Sequence, residues 1–265
     1  MDVRLYSLST EEKTLDAISE LKKQLLKNDI QITDDASLVI SIGGDGTLLS
    51  AVHRFQDELE KLSFVGLHTG HLGFYSDWVV NEIKELVLNI KNKKPELTIY
   101  PMIEAEVFEP NKKNTVIHAL NEISIRRLTN SLATDIKIDD VLFERFRGDG
   151  LVISTTAGST AYNKSLGGSV IDPKIEAFQL SEIASINNIV YRTLGSSMVI
   201  APTSCVTITP EIGVFEVAYD NYHFETKEVT KMILKLSDKK VKMADYKKVD
   251  FWNRVKNTFI GGELN

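Results

Sequence analysis

The 265-residue sequence predicts an α/β N-terminal domain, Rossmann-like with a mostly parallel sheet, followed by a predominantly β C-terminal domain. Three observations carry this. Strand-like and helix-like apolar patterns alternate over about the first hundred residues, which argues for parallel strands with helices packed on them. After Lys93-Lys94-Pro95 the pattern changes to short β-rich runs that continue to about Tyr246. Between them in weight stands Gly43-Gly44-Asp45-Gly46-Thr47, where an apolar run passes through a glycine turn into helical spacing. Such a junction lies at the carboxyl end of a strand, where open α/β sheets take up ligands. The expected domains are 1–98 and 99–250, with 251–265 a helical tail packing back on the N-terminal domain.

The elements follow in order. Residues 3–6 read as a strand. Ser9-Thr10-Glu11-Glu12 fits a capping box before a helix whose apolar face carries Leu15, Ile18, Leu21 and Leu25. The strand 38–42 precedes a helix with Leu48, Val52, Phe55 and Leu59 on one face. A strand over 64–67 comes next, and Asp77 is placed to cap a helix carrying Ile83, Val87 and Ile90. In the second domain strands are expected at 97–102, 105–108, 122–125, 134–138, 141–146, 151–154, 198–201, 206–209, 215–219 and 232–236. Asp139-Asp140 reads as a hairpin turn. Two helical interruptions are expected, one after Ser159 and one over 175–185. Phe251, Trp252, Val255, Phe259 and Ile260 give the tail a helical spacing suited to docking.

Composition narrows the function classes. Apolar residues make up 43% and charged residues 26%, ordinary globular proportions. A net charge of −6 argues against nucleic-acid or acidic-membrane partners. A polyanionic ligand must then meet local cations, for which Arg126, Arg127, Arg145, Arg147, Lys164 and Arg192 are candidates. The single cysteine, Cys205, excludes an internal disulfide and a Cys-rich zinc site, and its β-like surroundings suggest a buried small residue. Residues 1–13 lack a basic segment followed by an apolar one, and no apolar run is long enough to span a bilayer. A cytoplasmic location is expected.

Four segments carry chemistry. The turn at 43–47 presents backbone N–H groups at a helix N-terminus and so attracts phosphate, with glycines that leave no Cβ in the way. Asp45 is anomalous there, because a carboxylate repels phosphate. It becomes useful if it orients or deprotonates a hydroxyl that accepts phosphoryl; otherwise it is a helix-capping Asp. Asn121-Glu122 offers donors and acceptors that suit an adenine edge or a ribose diol, or is simply the polar end of a hairpin. Arg147-Gly148-Asp149-Gly150 is a second glycine-flanked carboxylate. The run 154–165 is dense in hydroxyls and includes Lys164; it grips phosphate or ribose oxygens, or is a Ser/Thr-rich loop with a helix cap. His68 and His71 lack the spacing of a helical zinc pair and a third ligand, so a loop or core role is expected and no metal site. Trp78 and Trp252 read as packing residues.

Together these segments resemble the NAD kinase family over most of the chain. Gly43-Gly44-Asp45-Gly46-Thr47 is similar to that family's first motif, Leu72-Gly73-Phe74 to its following loop and Asn121-Glu122 to its second motif. Gly148-Asp149-Gly150 through Gly158-Ser159-Thr160-Ala161-Tyr162 resembles its third, glycine-rich block. Thr156-Ala157 departs from the family's proline and hydroxyl residue. The resemblance implies transfer of a phosphoryl group from ATP or polyphosphate to the 2′-hydroxyl of the adenosine ribose of NAD. It makes Asp45 the proton acceptor, with Gly43, Gly44, Gly46 and Thr47 on phosphate. It assigns NAD binding to Asp45, Gly46, Phe74, Asn121, Glu122, Arg147, Asp149, Thr160, Ala161, Tyr162, Asn163, Lys164, Ser165 and Ala184. It also implies Mg²⁺ or another divalent metal accompanying ATP, and a homodimer or homotetramer with sites completed by a neighbouring subunit.

Two other readings stand beside it. A lipid kinase of the diacylglycerol-kinase type shares the glycine turn, but calls for an apolar entry or a basic interfacial helix, and neither is visible. A non-catalytic dinucleotide-binding sensor has no use for a negative charge at Asp45.

Overall fold

The computed structural model describes residues 2–70, 73–226, 228–247 and 249–261; His71 and Leu72, named above, lie outside the described residues. The chain forms two compact units. The first runs to Ile99 and resumes at Lys240, and the second is Tyr100–Lys239. Residues 240–250, expected with the second domain, therefore lie with the first unit.

The first unit contains β1 (Asp2–Tyr6), α1 (Glu12–Lys27), β2 (Gln31–Ile32), β3 (Leu38–Ile42), α2 (Asp45–Arg54), β4 (Ser63–His68), β5 (Trp78–Val79) and α3 (Ile83–Asn92). Strands β2, β1, β3, β4 and β5 pair in that order and all are parallel. Every residue of β3 is buried, as expected of a strand covered on both faces. Leu21 and Leu25 of α1 pack with Ile40, Leu67, Leu86 and Trp78 in one core. From β1 the chain goes out to β2 on one side and returns to β3 on the other. The carboxyl end of β3 thus stands at a switch in strand order, the position where such sheets bind ligands.

Local details differ from the sequence expectations. No side chain caps α1; Ser9 Oγ instead accepts from Glu11 N–H (3.2 Å), so the capping box is not formed. Leu15 is half exposed, and the buried face is Ala17, Leu21 and Leu25 with Thr14 and Gln24. Helix α2 ends at Arg54, and Leu59 is buried from the turn that follows. Asp77 does not cap α3, because β5 and a 3-10 turn (Val80–Glu82) intervene; the Glu82 carboxylate accepts from Val79 N–H (3.2 Å).

The second unit is built from β6 (Glu96–Phe108), β7 (Thr115–Ala119), β8 (Glu122–Arg127), β9 (Leu132–Ile138), β10 (Val141–Gly148), β11 (Gly150–Thr155), α4 (Tyr162–Ser165), β12 (Phe178–Ile183), β13 (Met198–Ile200), β14 (Val206–Pro210), β15 (Phe215–Tyr219), β16 (Tyr222–Thr226) and β17 (Lys231–Asp245). Strands β6 and β17 carry the chain across the division between units. One antiparallel sheet has the order β13-β12-β11-β8-β15-β16. Strands β10, β9, β14 and β17 form a second layer, joined by β6 and β7. Phe146, Ile208 and Leu234 from one layer meet Leu151, Phe178 and Phe215 from the other.

Asp139 (φ 49°) and Asp140 (φ 67°) join β9 to β10 with both residues left-handed, the conformation of a two-residue hairpin turn. The segment 175–185 is not helical. Strand β12 runs through it, with Phe178 and Leu180 in the core and Gln179 and Ser181 buried by side-chain hydrogen bonds. Strands β7 and β16 have no counterpart in the expected series, and the two runs expected at 97–108 are one strand. Cys205 is only partly buried, its N–H donating to Asp139 (2.9 Å). Helix α5 (Phe251–Phe259) belongs to the first unit and is capped by Asp250, which accepts from Trp252 and Asn253 N–H groups. Trp78 is a core residue, whereas Trp252 is 50% exposed. Among the described residues no helix is long and apolar enough to cross a membrane.

Candidate active site

In the first unit, β3 delivers the chain to Gly43, whose φ of 151° favours glycine. A Cβ there would lie 2.3 Å from Thr47 Oγ1, so glycine also permits the tight return into α2. Gly44 occupies the cap position and Asp45 is the first residue of the helix. The Asp45 carboxylate turns away from its own helix. Oδ2 accepts from Phe74 N–H (2.8 Å) and Oδ1 from Tyr75 N–H (3.2 Å). The Gly73 backbone approaches so closely that a Cβ would lie 2.2 Å from Asp45 Oδ1. Gly46 is exposed and Thr47 half-buried. His68 accepts from Gly70 N–H at Nδ1 (2.7 Å) and so holds its own loop.

In the second unit, Asn121 immediately precedes β8 and Glu122 begins it, and both are fixed by a residue that the motif reading missed. Asp220 sits in the two-residue turn between β15 and β16, and its carboxylate accepts from Leu120 N–H (2.8 Å) and Asn121 N–H (2.7 Å). The signal available in the sequence was Asp220-Asn221, a turn pair following the alternating residues of β15. Thr155 closes the other side: its hydroxyl donates to Leu120 C=O (2.6 Å) and accepts from Gly158 N–H (3.1 Å). A 3-10 turn (Ala157–Thr160) and α4 then place Thr160, Ala161, Tyr162, Asn163, Lys164 and Ser165 beside β8, with Tyr162 N–H donating to Glu122. Asn163 is fully buried, its Oδ1 accepting from Ser181 Oγ (2.6 Å), and so organises the block from inside.

Glu122 is the unusual member. Its Oε2 is buried with no hydrogen-bond partner among the described residues. Burial, reinforced by the Asp220 charge and opposed by the Tyr162 N–H, pushes its carboxyl up to about 8. The folded state therefore holds a proton that the unfolded chain, with an ordinary glutamate, gives up near pH 4.5. This stabilisation is fully present below the unfolded value and is lost as pH rises through about 8. Thermal melting from pH 5 to 9 should show a decline in the parent, on the order of 3–5 kcal/mol, that Glu122→Gln lacks. Parallel pH profiles for the two proteins would contradict the assignment.

The remaining predicted residues gather elsewhere. Arg147, Asp149 and Ala184 lie together: Asp149 N–H donates to Ile183 C=O (2.9 Å), and a Cβ on Gly148 would sit 3.0 Å from Ala184 C=O. Ala184 itself is left-handed (φ 46°). Arg147 donates to Ser131 Oγ (2.8 Å) and to Tyr191 OH, and stacks over the Tyr191 ring at 4.8 Å. Glu122 pairs with Ser154 at one end of β11, while Gly150 at the other end pairs with Ile183. The two clusters thus stand at opposite ends of one strand, roughly 13 Å apart at the rise of an extended chain.

Among the described residues no group of three or more His, Cys, Asp or Glu side chains is placed to hold a metal ion. One aspartate beside a phosphate-attracting turn suits a cation carried in by a nucleotide, which keeps most of its own waters.

Residues 4–94 match the family model of the ATP-NAD kinase N-terminal domain, and residues 120–245 that of the ATP-NAD kinase C-terminal domain. The chain is 44% identical to the NAD kinase of Lactobacillus johnsonii over 253 residues, covering 94% of each. It is 46% identical to the NAD kinase of Enterococcus faecalis over 256 residues, covering 96% of this chain and 97% of the relative. Among solved structures it is similar to yeast NADH kinase complexed with NADH (TM-score 0.85, 20% identity, 100% of this chain and 89% of that one). It is also similar to an NAD kinase from Archaeoglobus fulgidus in complex with ATP (TM-score 0.74, 20% identity, 98% and 97%). At that identity the solved structures speak to the fold alone.

Proposed function

We infer the roles of individual residues from one premise: this chain belongs to the NAD kinase family. It is a phosphotransferase that acts on NAD and gives NADP, and neither a lipid kinase nor a non-catalytic sensor has support among its relatives. ATP is the donor in this reading, and a cytoplasmic location belongs to it. The observation that carries the residue assignment is Asp45, held by two backbone N–H groups in a glycine turn otherwise suited to anions.

As the 2′-hydroxyl oxygen of the adenosine ribose attacks the terminal phosphorus of ATP, its proton passes to Asp45. The bond from that phosphorus to the bridging oxygen breaks, ADP leaves with the electron pair, and Asp45 later releases the proton to water. Each carboxylate oxygen keeps a lone pair beyond the one given to Phe74 or Tyr75, so the same bonds that aim the base leave it able to act. The turn N–H groups at Gly43, Gly44, Gly46 and Thr47 hold phosphate oxygens. Mg²⁺ accompanying the nucleotide supplies charge neutralisation at those phosphates.

In the second unit Asn121 and Glu122 take the ribose and adenine edges, the buried Glu122 Oε2 meeting a sugar hydroxyl. The 160–165 segment lies beside them. Arg147, Asp149 and Ala184 stand too far along β11 to crowd the same hydroxyls, which supports assigning them to the pocket of a neighbouring subunit. Exposed Ile189, Val190 and Ile212 in this unit fit an apolar surface covered in a homodimer or homotetramer.

Incubating the purified protein with NAD, ATP and Mg²⁺ and reading the product with an NADP-specific dehydrogenase tests the function; NADP is expected with ATP, and substituting polyphosphate measures donor choice. NAD binding without NADP would contradict it. Light scattering during size exclusion, at dilute and concentrated loading, tests assembly. An oligomer is expected, and a fully active monomer at both loadings would contradict subunit-shared sites.

A further inference from the structure

Asp45 is aimed by backbone, and that backbone is itself gripped from behind. Phe74 N–H donates to Asp45, while Phe74 C=O accepts from Arg254 Nη1 of helix α5, a residue 180 positions away in the chain. The other arm of the same guanidinium pairs with Asp77. The Phe74 ring stacks on Phe259, also of α5, with centroids 5.6 Å apart and planes inclined at 28°. Both partners of the ion pair are largely buried, the Arg254 side chain 12% exposed and that of Asp77 14%.

The guanidinium fork serves two acceptors at once, a neutral carbonyl and a charged carboxylate, which a point-charge ammonium holds less well. Burial raises the Asp77 carboxyl and the Arg254 charge opposes that rise, so the ion pair adds stability, while the bond to the Phe74 carbonyl ties α5 to the backbone that aims Asp45. Gly73 leaves no Cβ between this segment and Asp45, so a shift of the segment is passed directly to the carboxylate.

We propose that Arg254 and Phe259 are positioning residues for phosphoryl transfer, acting through the Phe74–Tyr75 backbone to keep the Asp45 carboxylate aimed at the accepting hydroxyl. This rests on the reading of Asp45 as proton acceptor. Misplacing a reacting group by about 1 Å can cost on the order of 10²-fold in rate.

The test measures kcat, KM for NAD and melting temperature for Arg254→Leu, Phe259→Ala and Asp77→Asn. Arg254→Leu should lower kcat by about 10- to 100-fold with KM for NAD unchanged. Phe259→Ala should lower kcat in the same direction by less. Asp77→Asn breaks the charge pair but leaves the Phe74 carbonyl its donor, so it should melt earlier while keeping kcat close to the parent's. A purely structural α5 would instead give activity losses that follow melting temperature across all three variants, and that result overturns the proposal. If Arg254→Leu does not fold, Phe259→Ala against Asp77→Asn carries the same comparison. The Asp45 reading is tested separately by Asp45→Asn: an inactive Asp45→Asn beside a parent-like Arg254→Leu and Phe259→Ala sinks only the positioning role.

Discussion

Asp45→Asn lowers kcat by about 10²–10⁴-fold, or roughly 3–5 kcal/mol of barrier, while NAD affinity stays close to that of the parent. The substitution conserves shape but removes the carboxylate proposed above as proton acceptor. It also presents an amide to two backbone donors. Phe74 N–H and Tyr75 N–H each now have a carboxylate oxygen. An asparagine can accept only at its single oxygen, so one of these bonds is lost and a small drop in melting temperature accompanies the loss of turnover. Steady-state kinetics with calorimetric titration of NAD reads both quantities. A variant with near-normal kcat would remove Asp45 from the chemistry.

Gly158→Ala has the largest expected effect in the second unit. A Cβ there would stand 2.1 Å from Asn121 O and 2.5 Å from its carbonyl carbon. Those are backbone atoms already committed, since Asn121 C=O accepts from Thr155 N–H (2.9 Å). The 3-10 turn must therefore move away from β8, and the Tyr162 N–H leaves Glu122 with it. Overpacking of this kind typically costs about 1–3 kcal/mol. Melting temperature and NAD affinity should fall together. A Gly158→Ala protein with both unchanged would show that the contact between turn and strand does not organise the binding face.

The parts of this site that are local in sequence were legible in it. Gly43, Gly44 and Asp45 form a strand–turn–helix junction from consecutive residues, and apolar spacing plus glycine chemistry suffice to place them. The state of Glu122 was not legible, because it depends on Asp220, nearly a hundred residues on, and on a backbone N–H supplied by Tyr162. The grouping of Arg147, Asp149 and Ala184 apart from Glu122 depends on the pairing of β11 with β12 and β8, which no single segment encodes. The helical expectation for 175–185 failed for a related reason. Phe178-Gln179-Leu180-Ser181 does alternate as a strand does, but its polar residues are buried as well, because Ser169 and Asn163, outside the segment, satisfy their side chains. Asp77 looked like a helix cap by position alone; its actual partner, Arg254, comes from the far end of the chain.

Phosphorus NMR of the product made from NAD and ATP tests the central claim most directly, because it reports which hydroxyl received the phosphoryl group. A single new phosphomonoester on the 2′-oxygen of the adenosine ribose, formed in step with ADP, is the result predicted here. Phosphate on the 3′-oxygen or on the nicotinamide ribose, or ADP released with no new phosphomonoester, would contradict it.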